Sequence, residues 1–529
     1  MYRLPAADST ANIDWFIFIA SATIVFAVCI PLALYPQAGG AALNDLFVYV
    51  TETLGIFYIL FSIVALALLL YIAFSRFGHV VLGEHDKPDF STFSWAAMLF
   101  CGGIGTSVLY WGTIEWAHYY QSPPMGIAAE SEAALRWAAA YPIFHWGFTG
   151  WALYCLPAVA VAYAYHVRAV HSLTLSAACE PIIGEWAHRF PGRVIDLTYM
   201  IGLVGACSTG IGLAVPLIAA CLGFMFGVSD TFALKGVVIS VVTMVFAVSV
   251  WVGLEKGIKR LSNLAVWLAF ALLGFALMTG PTVYILEFGT ATFGFMLQNF
   301  VTMSTWTDPA ESSSFVESWT VFYWAWWLAL GPFMGIFITK ISGGRTLRQV
   351  ILGSLGYGTL GTSLFFIVLG NYAVHLELSN QMSVIDSMNN NGAAQAVVDV
   401  IASLPLAAIV VPLFCLICVI FAATSYDSAS YTLASSTTRH LPRDAHPARW
   451  NRVFWAVALG LLPITLIQIG GLRPLQSAVV AVSVPLLVVV ALMTAGLWKS
   501  LHEDEAENAR RNVDLMPTPD NPEITAPGD

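Results

Sequence analysis

Charged side chains are scarce in this chain. Asp, Glu, Lys and Arg make up only 10% of its 529 residues, while hydrophobic residues make up 58%. A soluble domain carries roughly a quarter charged residues. So apolar a composition excludes an ordinary soluble protein and predicts an all-α polytopic membrane protein.

Clusters of reactive or basic side chains are also missing. No run of Lys or Arg indicates a nucleic-acid partner. The eight cysteines are scattered through apolar runs, and Cys415 and Cys418 stand at i, i+3 without a histidine or an acid beside them. These cysteines are interpreted as packing residues. The sequence therefore predicts no enzyme, no catalytic residues and no bound cofactor.

Long apolar runs are what the chain does contain. Each run has about the 20 residues that a helix needs to cross a bilayer. The predicted spans, numbered in chain order, are 14–34, 50–74, 94–119, 137–163, 196–226, 233–253, 262–284, 318–339, 349–373, 400–436, 451–470 and 475–498. We therefore expect a domain of twelve transmembrane helices at residues 14–501, with tails at 1–13 and 502–529. The second tail is polar and proline-rich, and it is predicted to be disordered.

The basic residues predict an orientation. With the N-terminus inside, the cytoplasmic segments hold 19 of the 22 lysines and arginines, and only Arg136, Lys235 and Arg473 lie outside. The positive-inside rule then places both termini in the cytoplasm. Residues 286–305, after the seventh span, hold no basic residue and are predicted to form an amphipathic helix at the outer surface.

Aromatic side chains are concentrated in two of the predicted spans. The stretch "WTVFYWAWWLALGPFMG", Trp319 to Gly335, holds four tryptophans in nine residues. Trp326 stands about 13–14 Å along a helix from Glu317, near the middle of a roughly 30 Å hydrocarbon core. The fourth span repeats the pattern in "FHWGFTGWALY". Bulky packing residues are one interpretation; the other is an aromatic cage for a quaternary ammonium or sulfonium cation.

Two spans carry residues that interrupt helices. The third contains "CGGIGTS", Cys101 to Ser107, and the eighth contains Gly331-Pro332. Glycines in membrane helices also permit close packing, so that alternative stays open for the third span. Interrupted helices near the midplane are typical of secondary transporters. Interruptions five spans apart predict two inverted five-helix repeats, spans 3–7 and 8–12, preceded by two helices.

A few polar side chains fall inside the predicted spans. Thr424 and Ser425 offer oxygen ligands suited to Na⁺, although such hydroxyls often bond to their own helix. Asp427 is a functional candidate because an acid within a membrane is costly. Glu115 is predicted to reach the outer headgroups and be solvated, and His145 is predicted to be a packing residue.

Five segments together resemble the betaine/choline/carnitine transporter family. They are "GGIGTS", "FHWGFTGWALY", "WTVFYWAWWLALGPFMGIFITKISGGRTLRQVILG", "ATSYDSASYTLA" and "GGLRPLQ". The resemblance covers about residues 12–500. It implies a twelve-helix, sodium-coupled fold with inverted repeats, usually assembled as a homotrimer in the cell (inner) membrane. It also implies uptake of a trimethylammonium or dimethylsulfonium solute.

The resemblance also implies roles for particular residues. The aromatic box would be formed by Trp146, Trp151, Tyr154 and Trp327. The adjoining path would be lined by Phe322, Trp324 and Trp326. The substrate would face Gly103, Gly105 and the backbone of 101–104. A sodium site would use the carbonyls of Cys101, Ile104 and Phe421 with the hydroxyls of Thr424 and Ser425.

Three positions depart from the family pattern. Leu330 stands where many members carry another Trp or Tyr, which opens the cage on one side. Ser107 replaces the acid of some choline carriers, which favours a zwitterion over a pure cation. Met334 stands near the break as in sodium-independent carnitine exchangers. The sequence therefore predicts sodium-coupled uptake of a betaine-like zwitterion, with sodium-independent exchange as the alternative and an embedded enzyme or channel as a remote one.

Overall fold

The protein folds into helices throughout the part of the chain that the structure describes. The computed structural model describes residues 13–83, 87–103, 105–170, 173–252, 255–310, 312–439 and 446–514. Within these ranges, residues 249–259 and 508–514 are described by their backbone alone. The helices are α1 (Trp15–Leu34), α2 (Pro36–Phe74), α3 (Thr92–Gly102), α4 (Thr106–Gln121), α5 (Glu132–His145), α6 (Phe148–Ala162), α7 (Leu175–Ile183), α8 (Phe190–Phe226), α9 (Phe232–Val252), α10 (Glu255–Thr279), α11 (Thr282–Gln298), α12 (Phe300–Thr305), α13 (Phe322–Ile341), α14 (Leu347–Phe365), α15 (Asn371–Leu378), α16 (Val384–Asn391), α17 (Ala393–Ala402), α18 (Ala407–Ser436), α19 (Arg449–Ile469) and α20 (Arg473–Asp514). Helices satisfy their backbone hydrogen bonds internally, which an apolar surrounding requires.

Many of these helices are long and apolar enough to cross a membrane. Within the described ranges ten qualify, and eleven if the bent pair α3–α4 counts as one span. The predicted sixth span, 233–253, falls on α9, whose described apolar part is the shorter helix Phe232–Val248. The prediction of an all-α polytopic membrane protein is confirmed. The count of twelve and the repeats remain predictions.

The predicted break in the third span is present. Helix α3 ends at Gly102, α4 begins at Thr106, and their axes differ by 57°. Gly105, just before α4, has extended backbone angles of φ −161° and ψ −171°. Ile104 lies outside the described residues. The chain therefore leaves the helical path where the glycines stand.

A second break, in the fourth span, was not predicted. Helix α5 ends at His145 and α6 begins at Phe148. Gly147 between them has a ψ of −144°, which ends the helical path. The carbonyl of His145 accepts a hydrogen bond from Trp327 Nε1 at 2.8 Å, and that of Trp146 accepts one from Thr362 Oγ1 at 2.8 Å. Side chains of two other helices thus bond to the carbonyls at the break.

The expected interruption at Gly331-Pro332 is wrong, because α13 runs through both residues to Ile341. A methyl group on Gly331 would stand 2.9 Å from the carbonyl oxygen of Leu153 in α6, and one on Gly335 would stand 3.0 Å from the nitrogen of Ala158. These glycines let the backbones of α13 and α6 approach closely, as small residues do in membrane helices.

The amphipathic helix predicted at 286–305 corresponds to α11 and α12. Along α11 the buried residues are Ile285, Gly289, Thr292 and Met296, which repeat at helical spacing on one face. Leu286, Phe293 and Leu297 between them are exposed. The helix thus presents one apolar face to the bundle and another to its surroundings.

The two ends of the described chain are fixed to the bundle by ion pairs. Asp14 bonds to Arg439 at 3.1 Å, and its N–H donates to the carbonyl of Thr437 at the end of α18. Burial works against ionisation of Asp14, but these bonds and the charges of Arg439 and Arg193 outweigh it and lower the pKa of the carboxyl.

At the other end, Arg168 pairs with Glu503 at 2.9 Å and with Asp504 at 2.8 Å. Helix α20 therefore continues past the predicted domain boundary at 501, as far as Asp514. Residues 1–12 and 515–529 of the two predicted tails lie outside the described part.

Close packing of α14 on α3 gives a first prediction. A methyl group on Gly361 would overlap the carbonyl of Phe100, whereas one on Gly356 of the same helix would meet open space. We expect Gly361→Ala to lower the free energy of unfolding by about 1–3 kcal/mol because overpacking displaces backbone. Gly356→Ala should leave it unchanged or raise it by up to about 1 kcal/mol, because Ala favours a helix more than Gly does. Thermal unfolding in detergent measures both, and equal stability of the two variants would contradict this packing.

Candidate functional site

A cavity of ≈ 280 Å³ lies where the two helix breaks meet α8, α13, α14 and α18. Ten of the predicted site residues line it: Gly103, Gly105, Trp146, Trp151, Tyr154, Trp326, Trp327, Leu330, Thr424 and Ser425. Residues separated by more than three hundred positions in the chain are therefore brought to one place. Both helix breaks border the cavity.

Four aromatic rings form one wall of the cavity, and they contact each other edge to face. The ring of Trp327 lies 4.8 Å from that of Trp146 at 77°, and 5.3 Å from that of Tyr154 at 75°. Trp151 and Tyr154 lie 5.6 Å apart at 90°. Rings set at steep angles to one another present several faces to one volume. We call Trp146, Trp151, Tyr154 and Trp327 the aromatic box.

Hydrogen bonds hold the indoles in position. Trp327 donates to the carbonyl of His145, which the break in the fourth span leaves accessible. Trp326 donates to the carbonyl of Ala206 in α8 at 3.2 Å. Because these two buried N–H groups have partners, the rings of Trp326 and Trp327 are fixed in angle as well as in depth.

Glycines make room for the same rings. A methyl group on Gly358 would overlap the ring of Trp151, and one on Gly150 would stand 2.8 Å from Nε1 of Trp327. A methyl group on Gly103 would stand 3.0 Å from Trp151. The glycines of three helices therefore define the space that the indoles fill.

Two of the predicted substrate-binding residues lie outside the cavity, as do Cys101 and Phe421 of the predicted sodium site. Trp324 is buried and packs edge to face on Phe144 at 5.6 Å and on His145 at 5.7 Å. Phe322 is buried and stacks on Trp326 at 5.6 Å. Phe322 therefore backs Trp326 of the cavity wall, whereas Trp324 packs on two rings that do not belong to the box. Leu330 lines the cavity, so the position where relatives carry another aromatic ring does face this space.

Hydroxyl groups line the opposite wall. Thr424 and Ser425 both donate to the carbonyl of Phe421, at 3.0 and 2.9 Å. Both hydroxyls thus bond to the backbone of their own helix. Cys101 is half-buried at the end of α3, and Ile104 lies outside the described residues.

Five further residues with hydroxyl groups line the same cavity: Thr106, Ser107, Ser262, Thr362 and Ser428. Sequence reasoning did not select Ser262 or Ser428, because single serines in a membrane helix carry no distinctive pattern.

Among the described residues that line the cavity, two are exposed, and both belong to α18. They are Ser425 and Ser428, and they lie in the half of α18 that ends beside Asp14. The other side of the cavity is closed by a buried aromatic layer formed by Tyr119, Tyr141, His145, Phe315 and Trp319. Rings in this layer contact one another at 4.6–4.9 Å, as in the pairs Tyr141–Phe315 and Tyr119–Trp319.

Glu115 is where the sequence prediction was wrong. Instead of reaching solvent it is completely buried, and it accepts hydrogen bonds from Tyr119 at 2.5 Å, Tyr323 at 2.7 Å and Trp146 Nε1 at 3.1 Å. The bend after Gly102 and the packing of α4 against α5 turn this residue inward. His145 is a buried residue with polar partners, Tyr119 and Thr320.

The cavity wall itself is uncharged among the residues described. Asp427 lies outside it and pairs with Arg452 of α19 at 2.9 Å. No group of three His, Cys, Asp or Glu side chains suited to a metal occurs in the described ranges. The arrangement offers ring faces, hydroxyls and helix ends to a small solute, and no nucleophile with a base.

Comparison with known proteins agrees with this geometry. Residues 16–506 match the family described as BCCT, betaine/carnitine/choline family transporter. The uncharacterized transporter YeaV of Escherichia coli (strain K12) is 35% identical over 453 residues, covering 85% of this chain and 94% of the relative. A carnitine transporter of Acinetobacter baumannii is 33% identical over 495 residues, covering 93% of this chain and 90% of the relative. This chain therefore belongs to the betaine/carnitine/choline transporter family and is a transporter, not an enzyme.

Proposed function

We propose that this protein is a secondary active transporter that takes up a betaine-like zwitterion with a trimethylammonium or dimethylsulfonium group. Glycine betaine, carnitine and dimethylsulfoniopropionate are zwitterions of this kind, and choline is the purely cationic member of the wider solute class. The observation that carries the proposal is the aromatic box in a cavity whose described wall is uncharged. A quaternary cation has no N–H to donate, so ring faces are what remains to hold it. Each ring contributes about 0.5–2 kcal/mol when water is excluded.

The carboxylate of such a zwitterion would bind at the other helix break. Gly103 and Gly105 border the cavity, and α4 begins at Thr106. The N-terminus of a helix carries unpaired N–H groups and a partial positive charge, both of which favour an anion. A substrate with a cation in the box and a carboxylate at α4 would match the cavity at both ends.

Sodium coupling is the second part of the proposal. Thr424 and Ser425 would supply hydroxyl oxygens, with carbonyls of Cys101, Ile104 and Phe421 completing the site. Since Phe421 already accepts both hydroxyls, binding Na⁺ would require at least one of them to rotate. Sodium-independent exchange is the alternative, and it is favoured by Met334. This side chain lines the cavity, and its terminal methyl lies 3.3 Å from where a methyl group on Gly102 would stand.

The larger architecture belongs to the proposal too. We place twelve spans in the cell membrane, arranged as two inverted five-helix repeats after two leading helices, with both termini cytoplasmic and three copies assembled in the lipid. Alternating access would move one repeat bundle against the other around the cavity. The exposure of Ser425 and Ser428 corresponds to an inward-facing state in this orientation.

Removal of one ring of the box tests substrate recognition. We expect Trp327→Leu to weaken binding of the transported betaine about tenfold or more, because a desolvated cation–π contact is lost. Trp324→Leu removes the same bulk outside the cavity and is the matched control. Uptake of labelled glycine betaine, choline, carnitine and dimethylsulfoniopropionate into vesicles measures both variants. Normal affinity in Trp327→Leu would contradict the box.

Sodium coupling is tested by Thr424→Ala with Ser425→Ala. Na⁺ needs several oxygen ligands, so the double variant should lose most of the Na⁺ stimulation of uptake. Loss of hydroxyls that only bond to their own helix would cost about 0.5–1.5 kcal/mol each in stability and leave the Na⁺ curve unchanged. Uptake against Na⁺ concentration separates these outcomes, and a wild type without Na⁺ dependence would favour exchange.

The exposure of Ser428 predicts unequal access to a thiol reagent. In inverted and right-side-out vesicles, Ser428→Cys should add one site for an impermeant methanethiosulfonate, reached only from the cytoplasmic side. Thr320→Cys, in the closed half, is buried and should add none. The wild type gives the background of its eight cysteines. Labelling of Ser428→Cys from the outer side would overturn the proposed orientation.

A further inference from the structure

Glu115 makes contacts that a packing residue does not need. Its side chain is completely buried, and both carboxylate oxygens accept hydrogen bonds from donors on three different segments of the chain. Tyr119 donates to Oε1 from α4 itself, at 2.5 Å. Tyr323 donates to Oε2 from α13, at 2.7 Å, and Trp146 donates to the same atom from the break in the fourth span, at 3.1 Å.

These contacts favour the ionised form of the carboxyl group, whereas its burial opposes ionisation. Three donors converge on two oxygens, which is the arrangement that an ionised carboxylate prefers. No Lys or Arg pairs with it among the described side chains. A basic side chain close to it is His145, whose Nδ1 lies 3.8 Å from Oε1 and 3.0 Å from the hydroxyl of Tyr119. A buried negative charge without a fixed cation is costly unless some other positive charge compensates it.

Trp146 links this charge to the cavity. Its Nε1 faces Glu115, while its ring belongs to the aromatic box, 4.8 Å from Trp327. Hydrogen bonds in an apolar surrounding polarise the groups they join. An indole that donates to a carboxylate gains negative charge on its ring, and attraction of a cation by the ring face grows with that charge.

We infer that Glu115 is a specificity-determining residue, the counter-charge that makes the aromatic box select a cation. It acts through Trp146 and does not touch the substrate. This inference rests on the proposed function, since it assumes that the box holds a quaternary ammonium group. It explains how a cavity wall without charge distinguishes a trimethylammonium group from an uncharged group of the same shape.

A pair of ligands of equal shape tests the inference. Glycine betaine carries a trimethylammonium group, and 3,3-dimethylbutyrate carries a neutral tert-butyl group in its place. Their dissociation constants are measured by tryptophan fluorescence on the purified full chain. For Glu115→Gln we expect the preference for the cation to fall about tenfold, with little change for 3,3-dimethylbutyrate. Tyr323→Phe removes a neighbouring donor but keeps the carboxylate, so its preference should stay near the wild-type value.

The alternatives give different results. Equal weakening of both ligands in Glu115→Gln would mean that Glu115 only supports the fold, and the inference would be overturned. If the wild type binds both ligands equally, the inference fails although the pocket is real. If the wild type binds neither of these ligands, nor choline or carnitine, the proposed function fails as well.

A second comparison serves if Glu115→Gln does not fold. Trp146→Phe and Trp151→Phe each remove one indole of the box, but only the first also removes the hydrogen bond to Glu115. We expect the larger loss of cation preference in Trp146→Phe. Equal losses in the two variants would contradict a special role for the Glu115–Trp146 pair.

Discussion

A backbone carbonyl that leaves a helix inside an apolar bundle must find a donor, and the site of this protein depends on how that requirement is met. The break at Trp146-Gly147 brings a tryptophan of α13 and a threonine of α14 onto two successive carbonyls. Unpaired polar groups in such surroundings cost several kcal/mol each. The hydrogen bond from Trp327 to the carbonyl of His145 offsets this cost and also fixes the angle of the Trp327 ring. The helix break and the aromatic box therefore depend on each other.

The second constraint is that indole rings and neighbouring backbones must come close to one another, and glycines make this possible. Indoles are large, and four of them fit around one cavity because neighbouring helices offer positions without side chains. Gly358 receives the ring of Trp151, Gly150 lies against Trp327, and Gly331 brings α13 close to α6. The glycines thus set the shape of the space and the aromatics fill its wall. Neither would define a cavity of this size alone.

Much of this arrangement could be predicted from the sequence, and the exceptions have physical reasons. The apolar runs gave the helices, and "GGIGTS" gave the break in the third span. Gly331-Pro332 was misread because a glycine that permits close packing and one that ends a helix look the same in a sequence. The break after Trp146 was not predicted, because Gly147 looks in the sequence like a glycine that permits close packing, although the helix ends there. Only the facing helix, with its donor at Trp327, shows which glycine has which role.

Glu115 shows the limit of reasoning from position along a span. The number of residues between Lys87 and Glu115 predicts that Glu115 lies at the outer headgroups. That prediction assumes one straight helix from the inner to the outer surface of the membrane. The 57° bend between α3 and α4 invalidates the assumption. The burial of Glu115 is indicated by the aromatic residues that can donate hydrogen bonds to it. These are Tyr119, one helical turn later, and Trp146 and Tyr323 in the two aromatic spans. In an apolar bundle, buried hydroxyl and indole donors need an acceptor. Backbone carbonyls serve Trp326 and Trp327, and the carboxylate of Glu115 serves the three donors that converge on it.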